Sequence, residues 1–513
     1  MGLSILIWLP VVSALIAAVF PRELTPRVAL GGALGTLALA IGYVASFERG
    51  APGLQFLTDE TWIAELGIHY KLGLDGLNLF LVLLTALLFA AALASAVRRD
   101  WDRPKLFYFQ FALAESAVLG AFLAQDLALF VAFFDLMLVP FYFLIGAWGG
   151  RNRVAATTKL VIYTLVGSLL MLAGAVAIGV IAAQDGAPLD FSFSTLSQVQ
   201  LPEGSQDWIF LCFAAAFLVK MPLFPLHAWM PDGYRAMPMP VLAVFSAVLS
   251  KVAAYGFLKV VLPLLPEASV HFQTPMLVLA LASILYGSAM AFTQTHARLI
   301  VGFSSMAQMG FIVLGIFSLR PEGAQGALLQ MVNHGLVIVP LFLIVALLAE
   351  RAGGSEDIRE MGGLALRAPV LTTLLLITAL ATLAMPGSAN FVAEFLILLG
   401  VFKVQLWIAV VAFVGVVLAS VYMLRAFIGA MHNRAGEQVA SREIGLADGL
   451  VVAPLVLCIL ALAVYPQLPL ATSERAARAS VRTAQLSGAL IQPLDPNAPG
   501  PTIQPPPQGA VGP

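Results

Sequence analysis

The feature that most constrains this chain is its succession of apolar runs, each long enough to cross a lipid bilayer as a helix. A helical span needs about 20 predominantly apolar residues, and 60% of this 513-residue chain is hydrophobic while only 11% is charged. Backbone polar groups in lipid must be hydrogen-bonded within the protein, so such runs fold as helices. The sequence therefore predicts an all-α polytopic membrane protein. We predict fourteen membrane-spanning segments, numbered 1 to 14 in chain order: 2–20, 28–47, 77–97, 106–123, 127–147, 156–183, 207–228, 239–262, 276–294, 298–318, 323–349, 368–402, 405–430 and 445–465.

Composition argues against several classes of function. The net charge of −1 provides no basic surface for nucleic acid. The two cysteines, Cys212 and Cys458, are too few for an iron–sulfur cluster, which normally takes four ligands. The sequence has no zinc-ligand spacing, P-loop or dinucleotide-binding glycine motif. We therefore expect no metal, cofactor or redox centre in this chain.

Basic residues indicate how the helices are oriented. Most lysines and arginines outside the spans follow odd-numbered segments, as Arg98, Arg99 and Arg103 do between segments 3 and 4. Loops rich in lysine and arginine stay in the cytoplasm. This predicts a multi-pass protein of the cell (inner) membrane with both termini on the outer, periplasmic side.

Segments 7 and 12 are interrupted. Pro222 and Pro225 follow Lys220 in segment 7, while Pro386 and Gly387 precede Glu394 in segment 12. Proline removes a backbone donor and clashes with the preceding turn. Paired discontinuous helices are typical of transporters built from inverted repeats, although separate proline kinks are an alternative explanation. We predict two inverted five-helix repeats, made of segments 4–8 and 9–13.

These repeats divide the chain into five regions. Segments 1–3 form the first region and segment 14 follows the second repeat. A Pro-rich sequence of low complexity ends the chain and is expected to be disordered. The predicted regions are 1–105, 106–262 (first repeat), 276–430 (second repeat), 431–482 and 483–513 (tail).

Four charged residues inside the predicted spans mark a candidate site. They are Asp135, Lys220, Lys251 and Glu394. An ionised side chain at mid-membrane depth costs roughly 3 kcal/mol on insertion scales, so it requires a partner, a wet cavity or a neutral state. Snorkelling of the lysines and a structural hydrogen bond for Asp135 are the alternative interpretations. Together the four residues suggest a charge relay and hence ion transport.

Several motifs add a family resemblance. They resemble the antiporter-like subunits of the proton-pumping NADH:quinone oxidoreductase, respiratory complex I, whose fold also occurs in multisubunit sodium/proton antiporters and membrane-bound hydrogenases. The sequence NFVAEF (390–395) favours the subunit M (chain 4) branch, because sister subunits usually carry lysine where Glu394 stands. The motifs are FLVKMPLFPLHAWMPD (217–232), SKVAAYGFLK (250–259), MVNHGL (331–336) and AMPGSANFVAEFLIL (384–398).

The resemblance implies roles for individual residues. It implies a proton relay in which a buried carboxylate controls a lysine and a histidine leads to a terminal carboxylate. Weaker candidates are Glu115, which resembles an acidic position in some members, and His227, for which interfacial anchoring is an alternative. Asp135 replaces the usual glutamate, and Gln308 occupies a position that is often histidine. The relay residues are Asp135, Lys220, Lys251, His334 and Glu394.

The resemblance also implies partners. The energy for translocation is expected to come from quinone reduction in partner subunits, which would hold NAD, FMN, iron–sulfur clusters and quinone. The chain would assemble in the lipid bilayer with other membrane subunits, especially sister antiporter-like subunits, as part of a translocase. An Mrp-type cation/proton antiporter subunit and a structural membrane scaffold are the alternative functions.

Overall fold

Twelve helices of the computed structural model are long and apolar enough to cross a membrane. The structure describes residues 2–51, 53–184 and 188–491. The twelve helices coincide with predicted segments 1–6, 8–11, 13 and 14, which confirms a polytopic all-α membrane fold. Their bounds are Gly2–Val19, Thr25–Ser46, Leu79–Ala96, Pro104–Leu123, Leu127–Trp148, Arg153–Ala182, Met239–Leu264, Gln273–Thr293, Ala297–Phe317, Pro321–Arg351, Leu406–Met431 and Leu446–Val464.

Segment 7 is discontinuous, as predicted. Its helix Glu203–Lys220 ends just before Pro222, and a short helix, Met230–Ala236, follows a stretch of turns. The proline cannot donate to the turn before it, so the helix stops at the lysine.

Segment 12 is also discontinuous. The helices Pro369–Thr382 and Ala389–Phe402 flank a turn that includes Gly387, whose φ is +93°. Glycine adopts this left-handed conformation without the steric cost of a side chain. Fourteen spans, the inverted repeats and the region boundaries stay predictions, because length and composition alone identify twelve spans.

The centre of the molecule lies around segments 8, 10 and 11. Every residue of the helix Ala297–Phe317 is buried, whereas the helices of segments 2 and 14 leave most of their surface uncovered within this chain. A charged group on segment 8, 10 or 11 therefore has protein rather than lipid around it.

Two elements were not predicted. Strand β1 (Gln55–Ile63) pairs antiparallel with strand β2 (Ile68–Leu74) between segments 2 and 3. A final helix, Gln467–Ile491, follows segment 14. The helix buries Ala477, Val481 and Ala484, whose spacing of four and three residues puts them on one face.

The final helix changes one predicted boundary. It continues over residues 483–491, which we had assigned to the disordered tail. Thr483 donates to the Leu262 carbonyl and Gln485 to the Leu319 carbonyl, so the helix is fastened to the ends of segments 8 and 10. The rest of the predicted tail lies outside the described residues.

Candidate functional site

Lys220 is the last residue of the first helix of segment 7 and is buried. Its Nζ donates a hydrogen bond to the backbone carbonyl of Phe134. The same Nζ lies 3.4 Å from the centroid of the Phe134 ring. A desolvated cation over an aromatic face is stabilised by the ring quadrupole, and the C-terminal end of a helix also favours positive charge. The structure thus provides three sources of stabilisation for a charged Lys220.

Asp135 neighbours Lys220 without contacting it. Its Oδ1 is buried and accepts no hydrogen bond from any residue that the structure describes. Its carboxylate acts electrostatically on Lys220, but the ion pairs of the described residues include none between the two side chains within 4.0 Å. The expected ion pair between Asp135 and Lys220 is therefore not formed in this structure. Lys220 instead donates to the backbone carbonyl of Phe134, the residue before Asp135.

His227 lies in the turns of segment 7. Its ring packs against Tyr286, with 4.8 Å between centroids, and against Phe224, with 5.9 Å. Its Nδ1 has no hydrogen-bond partner. These aromatic contacts fit the anchoring interpretation and give His227 no bond to Lys220.

Lys251 of segment 8 and His334 of segment 11 form a direct contact. Lys251 Nζ lies 2.7 Å from His334 Nδ1, and both side chains are buried. Lys251 also donates to the Ser246 carbonyl at 3.1 Å and to Ser250 Oγ at 3.2 Å. These three acceptors match the three donors of an ammonium group. When Lys251 donates to Nδ1, the ring hydrogen is on His334 Nε2, which has no hydrogen-bond partner within residues 2–51, 53–184 and 188–491.

The backbone around Lys251 is irregular. Segment 8 contains π-helical turns at Phe245–Leu249 and Phe257–Val261, one on each side of the lysine. Such turns interrupt the regular backbone hydrogen bonds and occur frequently at functional sites. The first of them contains Ser246, whose carbonyl binds Lys251.

One face of segment 11 continues from His334. Gln330, Asn333 and His334 are spaced by three and four residues, so they share this face. Gln330 Nε2 donates to Gln308 Oε1 at 2.6 Å, and Asn333 Nδ2 donates to the Ala389 carbonyl at 2.6 Å. These amides therefore connect segment 10 with the second helix of segment 12.

Close helix packing holds this face against segment 12. A Cβ at Gly326 would lie 2.8 Å from the Ala393 carbonyl oxygen and 2.8 Å from the Ile397 nitrogen. Only glycine allows the two helices to approach this closely, since a Cβ atom here would overlap these backbone atoms. The residue that follows Ala393 is Glu394.

Glu394 is buried, and its Oε1 has no hydrogen-bond partner in the part of the chain that the structure describes. Gln308 borders its carboxyl group, and Tyr422 of segment 13 lies within its electrostatic reach. Asn390, one turn earlier, leaves both amide atoms unpartnered. We call four amide side chains and one phenol together the amide cluster: Gln308, Gln330, Asn333, Asn390 and Tyr422. Buried polar atoms in native proteins usually have a hydrogen-bond partner, so the unpartnered atoms of this cluster can still form further hydrogen bonds.

Sequence reasoning missed most of the amide cluster. The sequence singles out Gln308 only as a replacement for histidine and Asn390 only as the first residue of the NFVAEF motif. Polar residues spaced by three and four in an apolar helix were the available signal for Gln330 and Asn333.

Glu115 is separate from these contacts. It is buried in segment 4, and its Oε1 has no partner. Among the described residues, no hydrogen bond or ion pair joins it to a relay residue. The described residues likewise contain no group of three or more histidine, cysteine and acidic side chains that could hold a metal ion.

Comparisons with known proteins identify the family. The family model described as NADH:quinone oxidoreductase/Mrp antiporter, TM matches residues 124–447. The chain is 35% identical to NADH-quinone oxidoreductase subunit M of Rhodobacter capsulatus over 484 residues, covering 91% of this chain and 93% of that protein. It is 37% identical to the Escherichia coli K12 protein of the same name over 455 residues, covering 86% and 89%.

The chain belongs to the NADH:quinone oxidoreductase/Mrp antiporter family. The predicted membership among the antiporter-like subunits of complex I, in the subunit M branch, is confirmed. The family is one of multi-pass membrane subunits of a respiratory enzyme, so this chain is a multi-pass membrane protein.

Solved structures agree with this assignment. A chain of respiratory complex I from Thermus thermophilus superposes with a TM-score of 0.86 and 31% identity, covering 94% of this chain and 100% of that one. A chain of the Mrp complex from Dietzia sp. gives 0.81 at 24% identity, covering 95% and 99%. At that identity the second likeness shows the shared fold alone.

Proposed function

We propose that this chain translocates protons as the subunit M component of an NADH:quinone oxidoreductase, through Asp135, Lys220, Lys251, His334 and Glu394. The observation that carries the proposal is the 2.7 Å contact between Lys251 and His334. Two buried groups that both bind and release protons meet there across segments 8 and 11. Ionisable groups inside a membrane protein are costly and mark ion pathways.

The first part of the relay is the neighbourhood of Lys220. An adjacent carboxylate favours a charged lysine, while burial favours the neutral amine. When Asp135 approaches, Lys220 holds its proton; when Asp135 moves away, Lys220 can release it toward Lys251. The Phe134 carbonyl and ring hold the lysine while the carboxylate is apart.

The second part runs from Lys251 to Glu394. Lys251 passes a proton to His334 Nδ1, and His334 releases the proton on its unpartnered Nε2. The amide cluster borders this path and supports a chain of water molecules. Glu394 accepts the proton through its unpartnered oxygen.

Driving energy comes from the partner subunits in this proposal. They hold NAD, FMN, iron–sulfur clusters and quinone, while this chain holds no redox centre and contributes to a translocase. Moving one proton against the membrane potential costs about 2.3 kcal/mol per 100 mV. The chain lies in the cell (inner) membrane beside sister antiporter-like subunits, with both termini on the outer side.

An Mrp-type cation/proton antiporter is the second candidate. The fold shared with the Mrp chain supports it, but Glu394 in the NFVAEF sequence favours the subunit M branch. A structural scaffold has less support, since packing alone requires neither Lys251 nor His334 to be ionisable.

Purification of the tagged chain from its native membranes tests the proposal. We expect it to bring down flavin and iron–sulfur subunits, and the reconstituted complex to acidify vesicles when NADH is added. A pH-sensitive dye measures the proton movement, and an uncoupler provides the control. Isolation without a dehydrogenase, together with sodium-for-proton exchange, would contradict the proposal and favour the antiporter.

A further inference from the structure

The face of the molecule that carries the β-hairpin contains a cavity of about 460 Å³. It lies between the start of segment 3, the end of segment 8 and the final helix Gln467–Ile491. Asp75, Lys259, Gln125 and Arg475 are among its polar lining residues. We call this space the hairpin-side cavity. The relay described above does not use it.

A partly buried ion pair lies at the wall of this cavity. Lys259 Nζ contacts Asp75 Oδ2 at 2.8 Å, and the two side chains are only 13% and 15% exposed. Asp75 Oδ1 accepts the backbone N–H groups of Leu77 at 2.9 Å and Asn78 at 3.1 Å. The carboxylate is therefore held in place at the boundary between the cavity and the protein interior.

Tyr255 lies between this ion pair and the relay. It is four residues from Lys251 and four from Lys259 on segment 8, so the three side chains follow one side of the helix. Tyr255 interacts electrostatically with Asp75 and borders the Asn78 side chain. Asp75 is thus a neighbour of both Tyr255 and Lys259. This places the two side chains on the same side of segment 8 despite the π-helical turn between them.

The Tyr255 hydroxyl is a buried group without a function in packing. The residue is fully buried, and its hydroxyl has no hydrogen-bond partner among the described residues. Its ring packs against Phe122, with 5.4 Å between centroids, and Phe130, with 6.5 Å. A phenylalanine would fill this aromatic site equally well. A buried hydroxyl usually has a partner, and one that relays protons binds water transiently on both sides.

We propose that Tyr255 relays protons from Lys251 to the hairpin-side cavity, which gives the protein an outlet separate from Glu394. The hydroxyl accepts a proton from water on the Lys251 side and gives up its own proton toward Asp75. Lys251 changes from ammonium to amine, Tyr255 ends neutral, and one proton enters the water of the cavity. Asp75, kept in place by Lys259, attracts the proton to the cavity wall. The proposal rests on the function proposed above.

The Tyr255→Phe variant of the assembled complex tests this outlet. We expect the rate of NADH-driven proton release to fall at least ~2-fold, because a phenyl ring can neither accept nor donate a proton. Tyr108→Phe is the matched control, because Tyr108 is buried in segment 4 and its hydroxyl makes a long hydrogen bond to the Ala96 carbonyl. Normal release in Tyr255→Phe would overturn the proposal.

Comparison with Lys251→Ala separates the two proposals. Loss of release in Lys251→Ala with normal release in Tyr255→Phe contradicts the outlet and leaves the relay intact. Normal release in Lys251→Ala contradicts the relay itself.

Chemical blocking of the cavity gives a second measurement that does not depend on Tyr255. Ser197 lines the cavity and is exposed, whereas the exposed neighbour Gln198 is not part of the lining. A bulky, membrane-impermeant thiol reagent added to Ser197→Cys from the hairpin side should slow proton release. Gln198→Cys should react without effect. Full labelling of Ser197→Cys with unchanged release would overturn the proposal.

Discussion

The two broken helices carry buried residues of opposite charge, and these two residues differ in their hydrogen-bond partners. In segment 7 the break leaves Lys220 as the last residue of a helix, bound to a carbonyl and facing an aromatic ring. In segment 12 the break precedes Glu394, which lies in the second turn of the following helix with one oxygen unpartnered. Protein groups therefore hold the lysine, whereas the buried glutamate keeps an oxygen that can still accept a hydrogen bond.

Helix polarity explains part of this difference. The C-terminal end of a helix favours cations and the N-terminal end favours anions, and the effect fades beyond one turn. Lys220 is at the position where the effect is strongest, while Glu394 is past the first turn. A break in a membrane helix thus creates two sites of opposite preference. We infer that segment 7 stores a proton and segment 12 exchanges one with water.

The largest expected effect is that of Lys220→Ala. Without the ammonium the first step of the relay disappears, and we expect proton release to fall about 100-fold, the lower end of what positioned proton-transfer groups contribute. Reconstituted vesicles and a pH-sensitive dye measure this, with subunit content as the check on assembly. Near-normal release per electron would mean that the break in segment 7 is structural.

Glu394→Gln tests the other side of the comparison. The change removes the proton-carrying oxygen with little change in volume, so we expect a loss of about twofold, because the outlet through Tyr255 stays open. Glu394→Lys restores a group that binds protons and should recover part of the activity. If the Glu394→Gln variant releases protons as fast as the native protein, Glu394 is not on the path and the comparison of the two breaks fails.

Asp135 variants should have the smallest effect of the three. Asp135→Asn removes the charge that acts on Lys220, and we expect a loss of about 1.5-fold, since the lysine itself stays in place. Asp135→Glu keeps the negative charge and should be tolerated. Proton release measured for both variants checks this. A functional Asn variant and an inactive Glu variant would contradict the carboxylate–lysine switch.

Long apolar runs and proline breaks made the helical architecture predictable. Predicted segments 1–6, 8–11, 13 and 14 each correspond to one membrane-length helix, and segments 7 and 12 to interrupted helices, because the membrane restricts the backbone to helices. The hairpin β1–β2 and the final helix Gln467–Ile491 lie outside the apolar runs. Amphipathic elements of this kind depend on the protein surface against which they pack, which the sequence does not display directly.

The site was predictable in its charged members and not in its contacts. Lys220, Lys251 and Glu394 stood out because charge is rare in apolar helices. The bond from Lys220 to the Phe134 carbonyl and that from Lys251 to His334 join residues separated by 86 and 83 positions. Such contacts depend on how the helices pack, so residue type alone could not identify them.

The central claim is that Lys251 and His334 act as one unit between the two halves. A double-mutant cycle in the assembled complex tests it most directly, with proton release measured for Lys251→Ala, His334→Ala and the double variant. Lys403 and Glu322, an exposed pair with 2.6 Å between Nζ and Oε1, provide the matched control cycle and should show no effect. Residues that act as a unit are strongly non-additive, so we predict that the double variant loses no more activity than the more severe single variant. Losses that multiply would show that the two groups act independently and would contradict the relay.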